Sequence, residues 1–210
     1  MKATVIIPAF NEEKTIKGVI MPLKDIDFIK EIIVVSDGSC DRTASVAKEC
    51  GVMVVELKEN IGKGGAMKEG LKYCSGDVIL FLDADLIGLT KNHVVQLMKP
   101  VLEKKADMSV GIFTNGRAIT DLAHRIAPFL SGQRCVTSCI INNLCDVDIS
   151  RFGVETALTR FVNRKDINVK EVFLENLTHI MKEEKMGLVK GFAARIKMYW
   201  EIVKSLRSAR

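Results

Sequence analysis

No two of the six cysteines (Cys40, Cys50, Cys74, Cys135, Cys139 and Cys145) are spaced as CxxC. That absence argues against zinc and against a disulfide framework. Several of the six sit in stretches with helix or strand character, which predicts buried free thiols of a cytoplasmic protein. No apolar run approaches the length of a membrane span. The first one, Val5 to Ile7, stops at Pro8 and then turns acidic, which does not fit a signal peptide. Internal repeats and low-complexity segments are absent. The Gly62-Lys63 pair lacks a following Ser or Thr, so it is not a P-loop, and the first strand is not followed by GxGxxG, so it is not a dinucleotide site. Charge of one sign is also scarce. The excess of 31 basic over 26 acidic residues gives +5, too little to name an anionic partner, and no nucleic acid is expected. What remains, 210 residues with 48% hydrophobic and 27% charged, is enough to bury a core and to form one soluble domain.

The chain is organised around Asp77-Val78-Ile79-Leu80-Phe81-Leu82-Asp83-Ala84-Asp85-Leu86. Five unbroken apolar residues, Val78 to Leu82, fit a strand buried on both faces of a parallel sheet. Asp83 and Asp85 then fall at its carboxyl end, where open α/β sheets bind ligands. Two adjacent carboxylates repel unless positive charge sits between them. A divalent metal such as Mg²⁺, held by one or two carboxylates and completed by water and phosphate oxygens, is the natural candidate. The plainer alternative is a solvated Asp pair that ends a strand.

Strand and helix alternate along the first part of the chain. Ala3 to Pro8 reads as a strand. Asn11 reads as a helix N-cap, with Glu12 and Glu13 in the first turn where the helix dipole favours negative charge. Glu31 to Val35 and Val52 to Leu57 are the next strands, with Asp41 capping the helix between them. A helix is expected from about Ala66 to Cys74. After the central strand, Thr90 caps a helix to about Leu102, Ala106 to Phe113 is a strand, and Arg117 to Leu130 is helical. Ser131-Gly132-Gln133-Arg134 reads as a polar loop, a helix opens near Arg151, and Asn168 to Leu174 is a late strand. The alternation predicts a parallel sheet with crossover helices. It divides the chain into a nucleotide-binding half, 1–86, and an acceptor half, 87–187, on one shared sheet within a single domain.

Four strand ends carry candidate ligand groups. Pro8-Ala9-Phe10-Asn11-Glu12-Glu13 places a strand end beside free backbone N–H groups. Asp37, in Ser36-Asp37-Gly38-Ser39, is suited to accept from a base or ribose; as an alternative it is a turn residue. Asn60-Ile61-Gly62-Lys63-Gly64-Gly65 lets the backbone approach a ligand and offers the Lys63 ammonium to a phosphate. Asp83 and Asp85 complete the set. Together, Val5 through Glu13, Val34 through Ser39, Asn60 through Gly64 and Phe81 through Asp85 resemble family 2 glycosyltransferases of the GT-A fold. The resemblance implies a Rossmann-like, mostly parallel sheet flanked by helices. It also implies a UDP- or GDP-sugar donor held by Pro8, Phe10, Glu12, Asp37, Lys63 and Asp83, and Mg²⁺ or Mn²⁺ on Asp83 and Asp85. Ser36 stands where the family often has a second Asp.

The acceptor half is similar to the glucosyl-3-phosphoglycerate synthases. That likeness implies acceptor contacts from Arg117 and Thr120, an active-site acid in Glu155 of Gly153-Val154-Glu155, and a metal ligand in His179. Glu155 is either the base of an inverting reaction or an orienting group in a retaining one, and the residues do not choose. Arg117 and Arg134, arginines beside Gly-containing loops, predict an anionic acceptor, a phosphorylated small molecule or a lipid phosphate. His93 and His124 read as helix-surface residues. Leu188, Phe192, Ile196, Tyr199, Val203 and Leu206 form one stripe of a basic C-terminal amphipathic helix, 188–210. Packing on the domain or on a dimer partner is its expected role; a peripheral membrane contact at the inner face is the alternative. Two rival functions, a nucleotidyltransferase and a non-catalytic scaffold, fit less well. The first needs a Gly-rich basic loop after the first strand, and the second does not need Asp83, Asp85, Glu155 and His179 together.

Overall fold

The computed structural model describes residues 1–113, 131–144, 154, 157, 158 and 167–179. The chain divides into two compact units, Met1–Thr178 and His179–Arg210. The first contains a seven-stranded sheet. Its strands are β1 (Ala3–Ala9), β2 (Ile29–Asp37), β3 (Met53–Leu57), β4 (Val78–Phe81), β6 (Met108–Phe113), β7 (Arg134–Thr137) and β8 (Val169–Leu174), in the spatial order β3-β2-β1-β4-β7-β6-β8. Every pairing is parallel except the two made by β7, which runs antiparallel to both β4 and β6. A short strand β5 (Leu86–Ile87) pairs in a separate two-stranded sheet with β9, which begins at Thr178.

The apolar runs build this sheet because alternate residues feed two cores. Val5 and Ile7 of β1, Val34 of β2 and Leu80 of β4 join one core. It is completed by α1 (Ile16–Ile20), α2 (Thr43–Glu49) and α4 (Lys91–Leu102), through residues such as Val19, Ala47, Leu97 and Met98. Ile6, Ile33, Ile79 and Phe81 point the other way. They pack with Ala66 and Met67 of α3 (Lys63–Leu71), Ile140 and Ile141 of α5 (Ser138–Asn142), and Val154, Ala157 and Leu158. A strand buried on both faces therefore needs no alternation of apolar with polar residues. Burying each of Ile6, Ile7, Leu80 and Phe81 contributes about 1.5–3 kcal/mol.

Several local expectations are corrected. Asn11 does not cap α1. That helix starts at Ile16 behind Thr15, and Asn11 sits in the left-handed region at φ 57°. The helix after β3 starts at Lys63, not Ala66, so Lys63, Gly64 and Gly65 form its first turn behind Gly62. The polar loop ends one residue early: residues 131–133 are loop, Arg134 opens β7, and Ser131, Gln133 and Arg134 are buried. Thr90 does cap α4, but His93 is more than a surface residue. Its Nδ1 accepts the Thr90 N–H (3.3 Å) while its own N–H donates to Thr90 Oγ1 (3.3 Å). The described cysteines are all free, as expected, yet Cys40 and Cys139 are exposed. Burial, aided by the Glu31 charge, pushes the Cys74 thiol up to about 12. Among the described residues no helix is long and apolar enough to cross a membrane.

Candidate functional site

The carboxyl ends of β1, β2, β3 and β4 lie side by side, because these four strands are neighbours and parallel. The chain leaves β1 in one direction, toward β2 and β3, and later returns to place β4 on the other side. Ligands of open α/β sheets bind at such a reversal. The backbone of β4 remains tied to β1 just before its carboxylates, with Leu82 N–H donating to Ile6 O (3.1 Å).

The loops after β1 and β2 are laced together. Asn11 N–H donates to Ser39 Oγ (3.1 Å), and Asn11 Oδ1 accepts from Cys40 N–H (2.9 Å). Glu12 N–H donates to Thr43 Oγ1 (2.8 Å), and Glu13 N–H to Asp41 Oδ2 (3.1 Å). The Glu12 carboxylate accepts the Thr15 hydroxyl (3.0 Å). Asp41 Oδ1 accepts the Thr43 N–H (2.9 Å), so it serves α2 as a cap from one residue further out. Burial pushes the Asp41 carboxyl up, but the Thr43 hydroxyl and the N–H groups of Thr43 and Glu13 outweigh that and hold it below its ordinary value.

Asp37 ends β2 and is buried. Its Oδ1 accepts the Ile61 N–H (2.8 Å), and its carbonyl accepts Asn60 Nδ2 (3.2 Å). Gly38, at φ 66°, follows. A Cβ there would lie 2.6 Å from Asn60 N, so only glycine lets the loops after β2 and β3 close on each other.

At the end of β4, Asp83 is gripped on both oxygens. Lys63 Nζ forms an ion pair with Oδ1, and Gln133 Nε2 donates to Oδ2 (2.9 Å). Gly132 lies under both groups: a Cβ there would run into Asp83 Oδ2 and would fall 2.5 Å from Lys63 Nζ and 2.6 Å from Asp83 Oδ1. The reversed direction of β7 makes this possible. Phe81 pairs with Arg134, so the residues that precede β7 arrive where β4 ends. Arg134 is fully buried, and its Nε donates to Ser131 O (2.7 Å). It supports the 131–133 segment from within the fold.

Asp85 is half-buried, two residues beyond Asp83 across buried Ala84. Among the described residues no group of three or more His, Cys, Asp or Glu forms a metal cluster. A hard divalent cation that takes phosphate oxygens and water needs only one or two carboxylates, which this pair supplies. The ammonium against Asp83 marks that carboxylate as a position that takes positive charge. Pro8 is buried within β1, Phe10 is 46% exposed beyond it, and His179 ends β9. Arg117, Thr120, Glu155 and the helix expected over 188–210 lie outside the described residues. Gln133 and Gly132 were not legible as site residues. The one sequence signal for them was the glycine in an otherwise polar run.

The model for glycosyl transferase family 2 matches residues 4–147. Glucosyl-3-phosphoglycerate synthase of Mycobacterium tuberculosis is 32% identical over 167 residues, which cover 67% of this chain and 51% of that protein. A dolichyl-phosphate beta-glucosyltransferase of Drosophila melanogaster is 42% identical over 107 residues, 43% of this chain and 32% of that one. The chain thus spans about half the length of the synthase and a third of the dolichyl-phosphate enzyme. The crystal structure of the M. tuberculosis synthase with Mn²⁺, UDP-glucose and phosphoglyceric acid superposes with a TM-score of 0.70 at 26% identity. That likeness covers 85% of this chain and 71% of that one.

Proposed function

We propose, since the chain belongs to glycosyl transferase family 2, that it moves a hexosyl group from a nucleoside diphosphate sugar, with UDP-glucose as the first candidate, to an acceptor hydroxyl. The observation that carries this reading is the Asp83 carboxylate held between Lys63 and Gln133 at the end of β4, beside the strand ends that bear Glu12, Asp37 and Lys63. Asp83 and Asp85 would hold Mg²⁺ or Mn²⁺ as an Asp-x-Asp pair. When bound, the ion neutralises charge on the diphosphate as the sugar–phosphate bond breaks. Lys63, in the first turn of α3, adds a second positive charge where the helix N-terminus already favours an anion. Asp37, fixed by Ile61 N–H, would present its carboxylate to the nucleoside, with the Phe10–Glu12 loop beside it. By the family resemblance His179 would serve as a metal ligand, and Glu155 would face the acceptor hydroxyl with Arg117 and Thr120 on the anionic part of the acceptor.

The likeness to a synthase whose crystals contain phosphoglyceric acid favours a phosphorylated small-molecule acceptor. The likeness to dolichyl-phosphate glucosyltransferases favours, as a second reading, a lipid phosphate. Thermal melting with UDP or GDP, with and without Mn²⁺, tests the donor side. A ligand at 100 times its dissociation constant stabilises by about 2.7 kcal/mol, which at this chain length raises the midpoint by roughly 5–10 °C. The rise is expected with nucleoside diphosphate plus Mn²⁺ and is expected to vanish in excess chelator. A response to triphosphates alone, or none at all, would count against a glycosyltransferase.

A further inference from the structure

The geometry points to Gln133 as a positioning residue that sets the direction of the Asp83 carboxylate, so that Oδ1 and not Oδ2 faces incoming positive charge. This rests on the metal-binding role proposed for Asp83. Gln133 is 2% exposed, and its Nε2 lies 2.9 Å from Asp83 Oδ2. An ionised carboxylate only accepts, so the amide must turn its nitrogen to Asp83 and its oxygen away. The oxygen finds a partner on that side. The Ser131 hydroxyl lies 3.0 Å from Gln133 Oε1 and 2.7 Å from Gly111 O, and it accepts the Gln133 N–H (3.3 Å). Ser131 is itself held through its carbonyl by Arg134 Nε. The amide is therefore fixed from behind by β6 and β7.

The consequence is an asymmetric carboxylate. Oδ2 is occupied by a neutral, buried donor that cannot leave without breaking the Ser131 contacts. Oδ1 carries Lys63, a flexible ammonium on the more exposed side of the site, 39% exposed in its side chain. A cation arriving at Asp83 meets one oxygen that exchanges partners readily and one that does not. Partners behind a metal-ligating group fix its orientation, and their loss typically costs 10- to 100-fold in metal affinity.

Mn²⁺ titration followed by electron paramagnetic resonance, with saturating UDP, tests this on the full chain. Gln133→Met keeps side-chain length and removes the donor. It is expected to weaken Mn²⁺ binding about 10- to 100-fold, and Gln133→Ala should do the same. If Gln133 acts through Asp83, Gln133→Met should have no further effect in an Asp83→Ala background. Unchanged Mn²⁺ affinity in both Gln133 variants overturns the inference alone. So does an equal loss with and without Asp83, which would mark a general packing role. Absence of Mn²⁺ binding by the unaltered protein, or full affinity in Asp83→Ala, overturns the metal reading and the inference with it.

Discussion

Gly132→Ala separates the site from the fold. The added methyl would meet Asp83 Oδ2 first, and would lie 2.5 Å from Lys63 Nζ and 2.6 Å from Asp83 Oδ1, where ordinary contact begins at 3.4 Å. The two charged groups must then give way by about 1 Å. Lys63 has the reach to swing aside. Asp83 is short, so both its oxygens must move, and the strain falls on the Gln133 bond as well as on the ion pair. A misplacement of about 1 Å at reacting groups can cost 10²-fold in rate, close to 2.7 kcal/mol of transition-state stabilisation. The fold should hardly notice. The backbone at Gly132 does not lie in the left-handed region, and Gly-to-Ala at a compatible site changes stability by about 0.4–1 kcal/mol through the unfolded chain. At this size that shifts the melting midpoint by roughly 1–4 °C. The assay is release of UDP from UDP-glucose, with melting followed in parallel. A roughly 100-fold loss of kcat/KM at a near-normal midpoint is expected. Activity within threefold of the unaltered protein would refute the reasoning, and so would a collapse of the midpoint that explains the loss by itself.

Lys63→Ala should weaken UDP binding more than uridine binding in calorimetric titration, because the ammonium is assigned to phosphate; equal weakening of both would assign it a packing role. Asp41 predicts a pH dependence. Its carboxyl is held below the unfolded value, so its contribution is present above that value and is lost as pH falls through the folded pKa. Urea melts stepped down from pH 5 should therefore show a shallower acid loss in Asp41→Asn, and parallel curves would remove Asp41 from the account.

The strands of the first half were legible because both faces of β1, β2 and β4 are buried, and such strands write themselves as unbroken apolar runs. Asn11-Glu12-Glu13 misled because it has the composition of a helix start. Its polar groups are instead used across the chain, on Ser39, Cys40, Asp41, Arg42 and Thr43, and partners about 30 residues away leave no periodic trace. Gly62 to Gly65 read as loop because glycine is a poor helix former; tertiary packing of Ala66 and Met67 carries the helix back to Lys63. Arg134 misled in the opposite sense. A charged residue in a polar run is almost always exposed unless it is paired, and its bond to Ser131 O is the kind of compensation that composition cannot display.

The reversed strand also governs the order in which the working protein comes into being. Asp83 and its amide partner are 50 residues apart, and β7 is the only described strand that joins β4 to β6. A nascent chain that has emerged only as far as Phe113 already carries every donor-side motif, yet β4 is an open, wholly apolar edge ready to pair with a neighbour. The carboxylates at its tip then have nothing behind them. The proposed donor site would therefore be one of the last features to mature during synthesis, although its signature residues are among the first to be made. A fragment cut where the motifs end would bear the sequence of a sugar-nucleotide site and the behaviour of an aggregating sheet.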